Sequence, residues 1–513
     1  MYIDARTLPD QTKLETDLAI IGGGPAGITL ARSFAGTRVQ VCLLEAGGQT
    51  GETDVQALYS GENIGIDYSL TASRLRFFGG SSNHWGGFTR PLDPIDFQQR
   101  DWVPHSGWPF GIEELAPYYT EACELVEILP ERFDDIAYWQ QATGETFPEF
   151  STGRMRPQFV QYSPPTRFGL RYGPELQQAK NINVLFHANV TDITTNESAH
   201  TVKSLEIRTL NGLIHSVKAK LYVLATGGLE NARLLLLSNK ITPAGLGNQN
   251  DLVGRYFMEH PHLGGCGEIV VADLDKLPRI FRERVEVNGA STNVAYNPTE
   301  TFLHNKKLLN ATFMVGVASK YQAVTQPDSL SENARRHVDM LMAARPFLTE
   351  GENPMESKDS DLLGVWLGIG CACEQIPNPD SRVSLAEELD QLGLRKIQLD
   401  WRLTDQDWAS FVQHAHSLAL EFGAMQIGRM LMKVLTTEGW PNKVSGGNHH
   451  MGTTRMHDDP KQGVVDRNSK VHEVDNLYVA GSSVFPTSGA ANPTLTLLAL
   501  TLRLADHLRK SFI

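Results

Sequence analysis

Gly22, Gly24 and Gly27 have the type and spacing that bind the pyrophosphate of a dinucleotide. Gly22 allows a tight turn after an apolar strand, Gly24 lets the backbone approach the phosphates, and Gly27 lets a helix pack closely on the strand. The phosphates then lie at the positive end of that helix. Glu45 follows Gly27 by 18 residues, where a carboxylate accepts a hydrogen bond from a ribose hydroxyl. The segment therefore predicts dinucleotide binding; a plain βαβ unit with a glycine-rich turn is the alternative.

The elements that must position these residues follow from the apolar pattern. Strands are expected at 18–21 and 39–44, with a helix between them. Similar character returns at 221–238, an apolar strand, a Thr-Gly-Gly turn and a leucine-rich helix, and again at 476–510. We therefore expect an α/β protein whose nucleotide domain is assembled from distant segments, with a second domain built from the chain between them.

Four further motifs accompany the first glycine turn: LRFFGGSSNHWGG at 75–87, ATGGLENARLL at 225–235, NHHMGT at 448–453 and NPTLT at 492–496. Together and in this order they resemble the glucose–methanol–choline (GMC) oxidoreductases, flavoproteins that oxidise alcohols. The resemblance covers nearly the full length. It is closest to the sugar-oxidising branch that includes pyranose 2-oxidase and glucoside 3-dehydrogenase, because of the histidine–tryptophan pair, the NPTLT form and Gly481, where many other members carry an Asp.

The resemblance implies the GMC fold, with a Rossmann-like FAD-binding domain and an α+β substrate domain. We expect the FAD-binding domain at 1–100, 185–258 and 455–513, and the substrate domain at 101–184 and 259–454. The resemblance places these residues against FAD: Gly22, Gly24, Gly27, Glu45, Gly79, Ser82, Asn83, His84, Val190, Ala225, Gly481, Ser482, Pro493 and Thr494.

The resemblance also implies the catalytic residues. The active-site histidine of the family lies three residues before a Gly-Thr pair, which matches His449. A shift by one residue would exchange it with His450, which is expected to be a packed or solvated imidazole. Histidine suits removal of a hydroxyl proton at neutral pH, while the hydride passes to flavin N5. The second position matches Asn492, which either orients the substrate hydroxyl or caps the last helix.

His84 has two alternative roles under the resemblance. In some relatives the histidine at this point is bonded to the flavin 8-methyl group; otherwise it packs beside the dimethylbenzene edge. The chain departs from pyranose 2-oxidase at Gly86, where that enzyme has a threonine near N5, so oxygen reactivity is not implied by the motif.

Other polar and aromatic residues are assigned structural roles. The segment VGRYFMEHP, with Arg255, Glu259 and His260, resembles a family segment at the domain junction. We expect Arg382 to pair with an acid. Among the tryptophans, three are candidates for stacking on a sugar, although core packing is commoner; they are Trp85, Trp366 and Trp401.

The composition and charge of the chain restrict which classes of molecule it can bind. Of the 513 residues, 46 are Lys or Arg and 59 are Asp or Glu, a formal charge of −13, with no long basic run. Nucleic acid and anionic membrane surfaces are therefore poor partners. No apolar run is long enough to span a membrane, and residues 1–16 are polar, so we expect a cytoplasmic protein, periplasmic only if exported with a signal-bearing partner. A partner subunit or a homo-oligomer is compatible with the sequence.

The five cysteines are scattered, which disfavours a disulfide framework. Cys371 and Cys373 lie in an apolar run and are expected in a buried strand. Thr404 is expected to cap a long helix from Asp405 to about Leu435. The polar stretches 281–286 and 329–345 are candidates for a lid or an interface loop.

The sequence thus predicts FAD-dependent oxidation of an alcohol, best a secondary hydroxyl of a sugar or glycoside, with oxygen or an external carrier as electron acceptor. No metal is implied, and no c-type haem motif is present. The alternatives are a non-sugar alcohol or sterol as substrate, a non-redox lyase on the same fold, and a flavin-stabilised subunit that supports a complex.

Overall fold

The computed structural model describes residues 1–130, 132–271, 276–322, 362–432, 440 and 444–512. The strands of this part, in chain order, are β1 (Tyr2–Asp4), β2 (Lys13–Glu15), β3 (Leu18–Ile21), β4 (Val41–Leu44), β5 (Gly61–Asn63), β6 (Phe88–Thr89), β7 (Met155–Tyr162), β8 (Ile182–Phe186), β9 (Asn189–Thr195), β10 (Val202–Arg208), β11 (Ile214–Lys218), β12 (Leu221–Leu224), β13 (Pro261–Val271), β14 (Val285–Val287), β15 (Ala290–Pro298), β16 (Ala311–Gln322), β17 (Leu362–Cys373), β18 (Arg382–Leu389), β19 (Arg395–Asp400), β20 (Gly428–Leu431), β21 (Ser445–Gly446) and β22 (Leu477–Val479).

The α-helices of the described residues, in chain order, are α1 (Pro25–Ser33), α2 (Thr53–Ala57), α3 (Pro94–Phe97), α4 (Ala116–Leu125), α5 (Ile136–Thr143), α6 (Phe168–Gln178), α7 (Gly228–Leu237), α8 (Glu300–Lys306), α9 (Asp405–Ala424) and α10 (Thr494–Arg509). None of the helices in these ranges has the length and apolar character needed to cross a membrane.

A six-stranded parallel sheet in the order β1-β8-β4-β3-β12-β22 forms the nucleotide-binding part of the fold. As predicted, its strands come from distant stretches of the chain: β12 pairs with β3, and β22 pairs with β12. The strand β3 has the expected limits, while β4 begins two residues later than expected. The loops that follow β3, β12 and β22 therefore meet at one edge of the sheet, where α/β proteins bind ligands.

A nine-stranded antiparallel sheet forms the second layer, with β20-β13-β17-β16-β15-β7-β6 as its main path. Helix α9 packs against it around a core of its own. Part of the stretch 101–184, which we assigned to the substrate domain, instead packs with the parallel sheet: α4, α6 and the start of β8 contribute to that core. The domain limits stay a prediction.

Helix α9 is shorter than predicted. It ends at Ala424 rather than near Leu435, because Gln426 adopts a left-handed conformation and β20 then pairs antiparallel with β13. The predicted cap is present: the Asp407 carboxylate accepts a hydrogen bond from the Thr404 backbone N–H, and Asp407 donates its own N–H to the Thr404 hydroxyl.

Two other expectations concern strands and loops. Cys371 and Cys373 are buried in β17, and all five cysteines are free, as predicted. Phe281, in one of the two stretches considered for a lid, is fully buried in the core of the second sheet. The other stretch, 329–345, lies outside the described residues.

Removing the α9 cap should measurably weaken the second core. In Thr404→Ala the N–H of Asp407 loses its partner, so we expect the free energy of unfolding to fall by about 1 kcal/mol. His416, exposed on the same helix, provides the control His416→Ala. Denaturant unfolding followed by tryptophan fluorescence checks this; equal stabilities of the two variants would contradict it.

Candidate active site

The glycine turn after β3 has the geometry of a phosphate cradle. Gly22 has a φ of 108°, and a Cβ there would lie 2.5 Å from the carbonyl oxygen of Ala225. A Cβ on Gly27 would overlap the carbonyl oxygen of Gly22, so Gly27 shapes the turn. A Cβ on Gly24 would meet nothing within 4 Å. Open space therefore lies beside Gly24, where a pyrophosphate would approach the start of α1.

Glu45, at the end of β4, faces the same space. Its carboxylate accepts hydrogen bonds from the backbone N–H groups of Gly23 (2.9 Å) and Gly47 (2.8 Å). Burial raises the pKa of Glu45, and the two N–H donors offset part of that rise. The two bonds fix the carboxylate in the cavity wall, where a ribose hydroxyl is expected, so turn and acid together fit the adenosine half of FAD.

The loop that would lie beneath the flavin is held by its own side chains. The Asn83 amide donates to the carbonyl oxygens of Phe78 and Gly80, both at 3.0 Å. The Ser82 hydroxyl donates to the Gly79 carbonyl at 2.7 Å and accepts from the N–H of Phe168 at 3.1 Å. These bonds present the next two residues to the cavity.

Those two residues are His84 and Trp85. His84 is exposed in the cavity wall, and partial desolvation together with the nearby charge of Arg167 lowers its pKa. Trp85 is fixed by a 3.0 Å hydrogen bond from its indole Nε1 to the carbonyl oxygen of Thr166.

One cavity of about 410 Å³ brings together most of the predicted site. Three predicted cofactor residues do not line it, so their contact with FAD stays a prediction; they are Gly27, Gly79 and Asn83. The predicted residues that do line it are Gly22, Gly24, Glu45, Ser82, His84, Val190, Ala225, His449, Gly481, Ser482, Asn492, Pro493 and Thr494.

Asn492 does not cap the last helix. The cap of α10 is Pro493, whose carbonyl accepts from the N–H of Leu497 at 2.8 Å. Within the described part of the chain the Asn492 amide has no hydrogen-bond partner, and the residue lines the cavity. Its amide is therefore available to a ligand.

Two antiparallel segments carry the histidines. Met258 pairs with Met451, and Pro261 pairs with Gly446. Between these pairs one segment has the two residues 259–260, and the other has the four residues 447–450. The two extra residues make the second segment bulge, with Asn448 at a φ of 62°. The bulge brings His449 into the cavity wall.

Glu259 fills this bulge and was not predicted as part of the site. Its carboxylate is fully buried and accepts the backbone N–H groups of His449 (2.7 Å), Gly447 (2.9 Å) and His260 (3.0 Å), besides the hydroxyl of Tyr68. Burial raises its pKa to about 7, and the donors counteract that rise. Glu259 lies in the motif VGRYFMEHP, but the sequence does not reveal which groups donate hydrogen bonds to its carboxylate.

The two neighbouring histidines have different surroundings. The Nδ1 atom of His449 lies 2.9 Å from Nδ1 of His260, and burial, with His260, His262 and His450 nearby, holds the pKa of His449 well below its usual range. His450 is buried, with Nε2 2.8 Å from the Tyr68 hydroxyl. Burial and the charge of Arg74 lower its pKa to about 3, and it is packed as expected.

A buried charge network borders the same cavity and was also missed. Burial opposes ionisation of Glu230, but the nearby arginines hold its pKa at about 2. Arg74 lies 2.9 Å from Glu230, and Arg233 lies 2.7 Å from Asp390. The members of the network are Arg74, Arg76, Glu230, Arg233 and Asp390.

The remaining predicted contacts are structural. Arg382 pairs with Asp251 at 3.2 Å, as expected. Trp401 is fully buried, and its indole donates to Gln375, so it belongs to the core. The side chain of Trp366 lies outside the described residues.

Comparison with known proteins gives several relatives. Residues 377–501 match the GMC oxidoreductase family model. The chain is 26% identical to 2-methyl-1,2-propanediol dehydrogenase of Mycolicibacterium austroafricanum (97% of this chain, 96% of the relative), and 24% identical to the fructose dehydrogenase large subunit of Gluconobacter japonicus (96% and 97%). It is also 24% identical to paromamine 6'-oxidase of Streptomyces fradiae (95% and 90%).

The fold is similar to that of pyridoxine 4-oxidase from Mesorbium loti. The TM-score is 0.56 at 18% identity, with 96% of this chain and 99% of that chain covered. The C-terminal match, the full-length relatives and the fold make the chain similar to the GMC oxidoreductases, and it is an FAD-dependent enzyme that oxidises CH–OH groups.

Proposed function

We propose that the protein oxidises a hydroxyl group of a sugar or glycoside, best a secondary one, with His449 as the base and Asn492 orienting the hydroxyl. The single observation that carries the proposal is the shared cavity wall: a neutral imidazole and an unpartnered amide border the same space as the glycine turn. FAD, when bound in this cavity, supplies the acceptor for the hydride.

The protein's own residues perform the proton chemistry. Burial keeps His449 unprotonated at neutral pH, so a ring nitrogen can accept the hydroxyl proton within hydrogen-bond reach. The Asn492 amide donates to the substrate oxygen and does not compete as a base. Because the pKa of His449 lies below 6.5, we expect the acid limb of kcat/KM below pH 6.5 and no loss of rate between there and neutrality.

Part of the cavity wall suits a sugar better than a lipid. Two aromatic or imidazole side chains and two amides line the cavity together with His449: Trp85, His262, Asn448 and Asn492. The fructose and paromamine enzymes among the relatives agree with this choice, whereas the dehydrogenase named for 2-methyl-1,2-propanediol supports the non-sugar alternative.

A substrate panel tests the proposal. D-Glucose, D-fructose, methyl β-D-glucopyranoside and 2-methyl-1,2-propanediol are added without air, and the flavin absorbance is followed. We expect the sugars to bleach the flavin faster than the diol. Bleaching by the diol alone supports the non-sugar alternative, and turnover of cyanohydrins with an oxidised flavin supports a lyase. Air or an artificial acceptor then distinguishes an oxidase from a dehydrogenase.

His84 lies in the wall at the predicted flavin edge, and its two alternatives are separated by acid precipitation of the purified protein. Yellow colour in the pellet, lost in His84→Ala, supports a covalent bond. Colour in the supernatant supports an imidazole that packs beside the ring.

Loss of the proposed base should abolish substrate oxidation but not cofactor binding. In His449→Ala we expect the rate of anaerobic flavin bleaching to fall about 1,000-fold, because general-base catalysis is lost, with FAD content unchanged. The matched variant His450→Ala removes a packed imidazole and should lose less than about tenfold. The reverse pattern would assign the base to His450.

Two neighbouring glycines should separate cofactor binding from folding. Gly24→Ala places a methyl group in the open space beside the turn, so we expect FAD to bind at least about tenfold more weakly while the cofactor-free protein keeps its stability. Gly27→Ala drives a methyl into the Gly22 carbonyl, which should cost about 1–3 kcal/mol of unfolding free energy. FAD titration and denaturant unfolding measure both; unchanged FAD affinity in Gly24→Ala would contradict the cradle.

A further inference from the structure

The histidine that precedes β13 contacts the proposed base but has no part in the chemistry described so far. His260 is fully buried, and its two ring nitrogens have different partners. Its Nε2 lies 3.2 Å from the carbonyl oxygen of Ser488, and its Nδ1 lies 2.9 Å from Nδ1 of His449.

The carbonyl of Ser488 decides which nitrogen of His260 carries the proton. A carbonyl oxygen only accepts, so the Nε2 atom of His260 must be an N–H donor. Burial, with His262 and Arg90 nearby, lowers the pKa of His260 to about 3, so at neutral pH the ring is neutral and has one proton. The Nδ1 atom of His260 therefore has a free lone pair.

The tautomer of His260 in turn decides that of His449. Two ring nitrogens 2.9 Å apart share one proton, and His260 has none to give at Nδ1. The Nδ1 atom of His449 must then be the donor. A neutral His449 protonated at Nδ1 has its lone pair on Nε2, and an unprotonated nitrogen is what a general base needs.

We propose that His260 is the positioning residue of the active site, and that the hydrogen-bonded series Ser488 carbonyl, His260 and His449 fixes the base as its Nδ1–H tautomer. The proposal rests on the proposed function of His449. When Nε2 accepts the hydroxyl proton, the O–H bond breaks and an N–H bond forms. His449 becomes an imidazolium whose Nδ1–H bond to His260 strengthens, because the donor is now charged.

His260 orients His449 as the aspartate of a serine-protease triad orients its histidine. The difference is that His260 is a neutral acceptor, whereas the aspartate is a carboxylate. A neutral acceptor fixes the tautomer without raising the basicity of His449 as a negative charge would. The groups facing His449 are His260 and His262 from the start of β13, His450 from its own segment, and Glu259 through the backbone N–H. The Glu259 carboxylate is occupied by its four donors.

The tautomer can be observed without a substrate. In the FAD-loaded enzyme labelled with 15N-histidine, long-range 1H–15N spectra distinguish Nδ1–H from Nε2–H rings, and His449→Ala identifies the signal of His449. We expect the Nδ1–H pattern across neutral pH in the wild type, and a mixture of both tautomers in His260→Leu. A wild-type His449 protonated on Nε2 would overturn the proposal, whether or not the variant folds.

Kinetics of matched variants supply the second readout. For the panel compound that bleaches the flavin fastest, His260→Leu should lower kcat roughly 10- to 100-fold with little change in KM or FAD content. In His260→Asn the amide oxygen takes the place of Nδ1 as acceptor, so most of the rate should return. The acid limb of kcat/KM should move to lower pH in His260→Leu, because the imidazolium form of His449 loses the acceptor of its Nδ1–H.

The control is a buried histidine with the same kind of backbone bond. His414 lies 2.7 Å from the carbonyl of Leu309 through Nε2, and its Nδ1 has no partner among the described residues. His414→Leu should keep the wild-type rate and pH profile. An equal loss in both leucine variants, or no loss in His260→Leu, would overturn the positioning role. Undiminished bleaching in His449→Ala would instead refute the proposed base, while the tautomer spectra still report on the hydrogen bond.

Discussion

The buried carboxylate of Glu259 is the interaction on which the arrangement of the active site depends. It joins the backbone before β13 to a bulge about 190 positions later in the chain, through three N–H groups and the Tyr68 hydroxyl. Without it, one buried and two partly buried N–H groups would lose their partner, and a fully buried group without a partner costs about 1–3 kcal/mol. A bulge of four residues opposite two has little regular pairing of its own, so the carboxylate is what gives it a single conformation.

Burial then gives the site its chemical character. The imidazoles around the bulge are held neutral because the protein interior disfavours their charged forms. A neutral imidazole is a base at physiological pH, and a fixed tautomer directs its lone pair. Elsewhere in the wall of the same cavity the charges are paired, with Glu230 among arginines and Asp390 against Arg233. One cavity thus has paired charges and neutral imidazoles in its wall.

The sequence predicted what is local and missed what is formed by distant contacts. The glycine turn, Glu45 and the α9 cap were found because their residues act on neighbours within a few positions. The end of α9 was wrong, since apolar residues continue past Ala424 and only pairing of β20 with β13 shows that they form a strand. Glu259 and His260 were assigned a structural role because nothing in VGRYFMEHP reveals their contacts with 447–449. The amide of Asn83 donates to carbonyls of its own loop, which the sequence did not reveal, and its contact with the cofactor stays a prediction.

In the proposed reaction the carbinol hydrogen of the substrate leaves as a hydride for FAD, while His449 receives the hydroxyl proton. The decisive measurement is rapid anaerobic mixing of the enzyme with a sugar deuterated at the oxidised carbon. We expect the flavin to bleach several-fold more slowly with the deuterated sugar, and one oxidised product to form per flavin bleached. Product formation with a flavin that stays fully oxidised would contradict it.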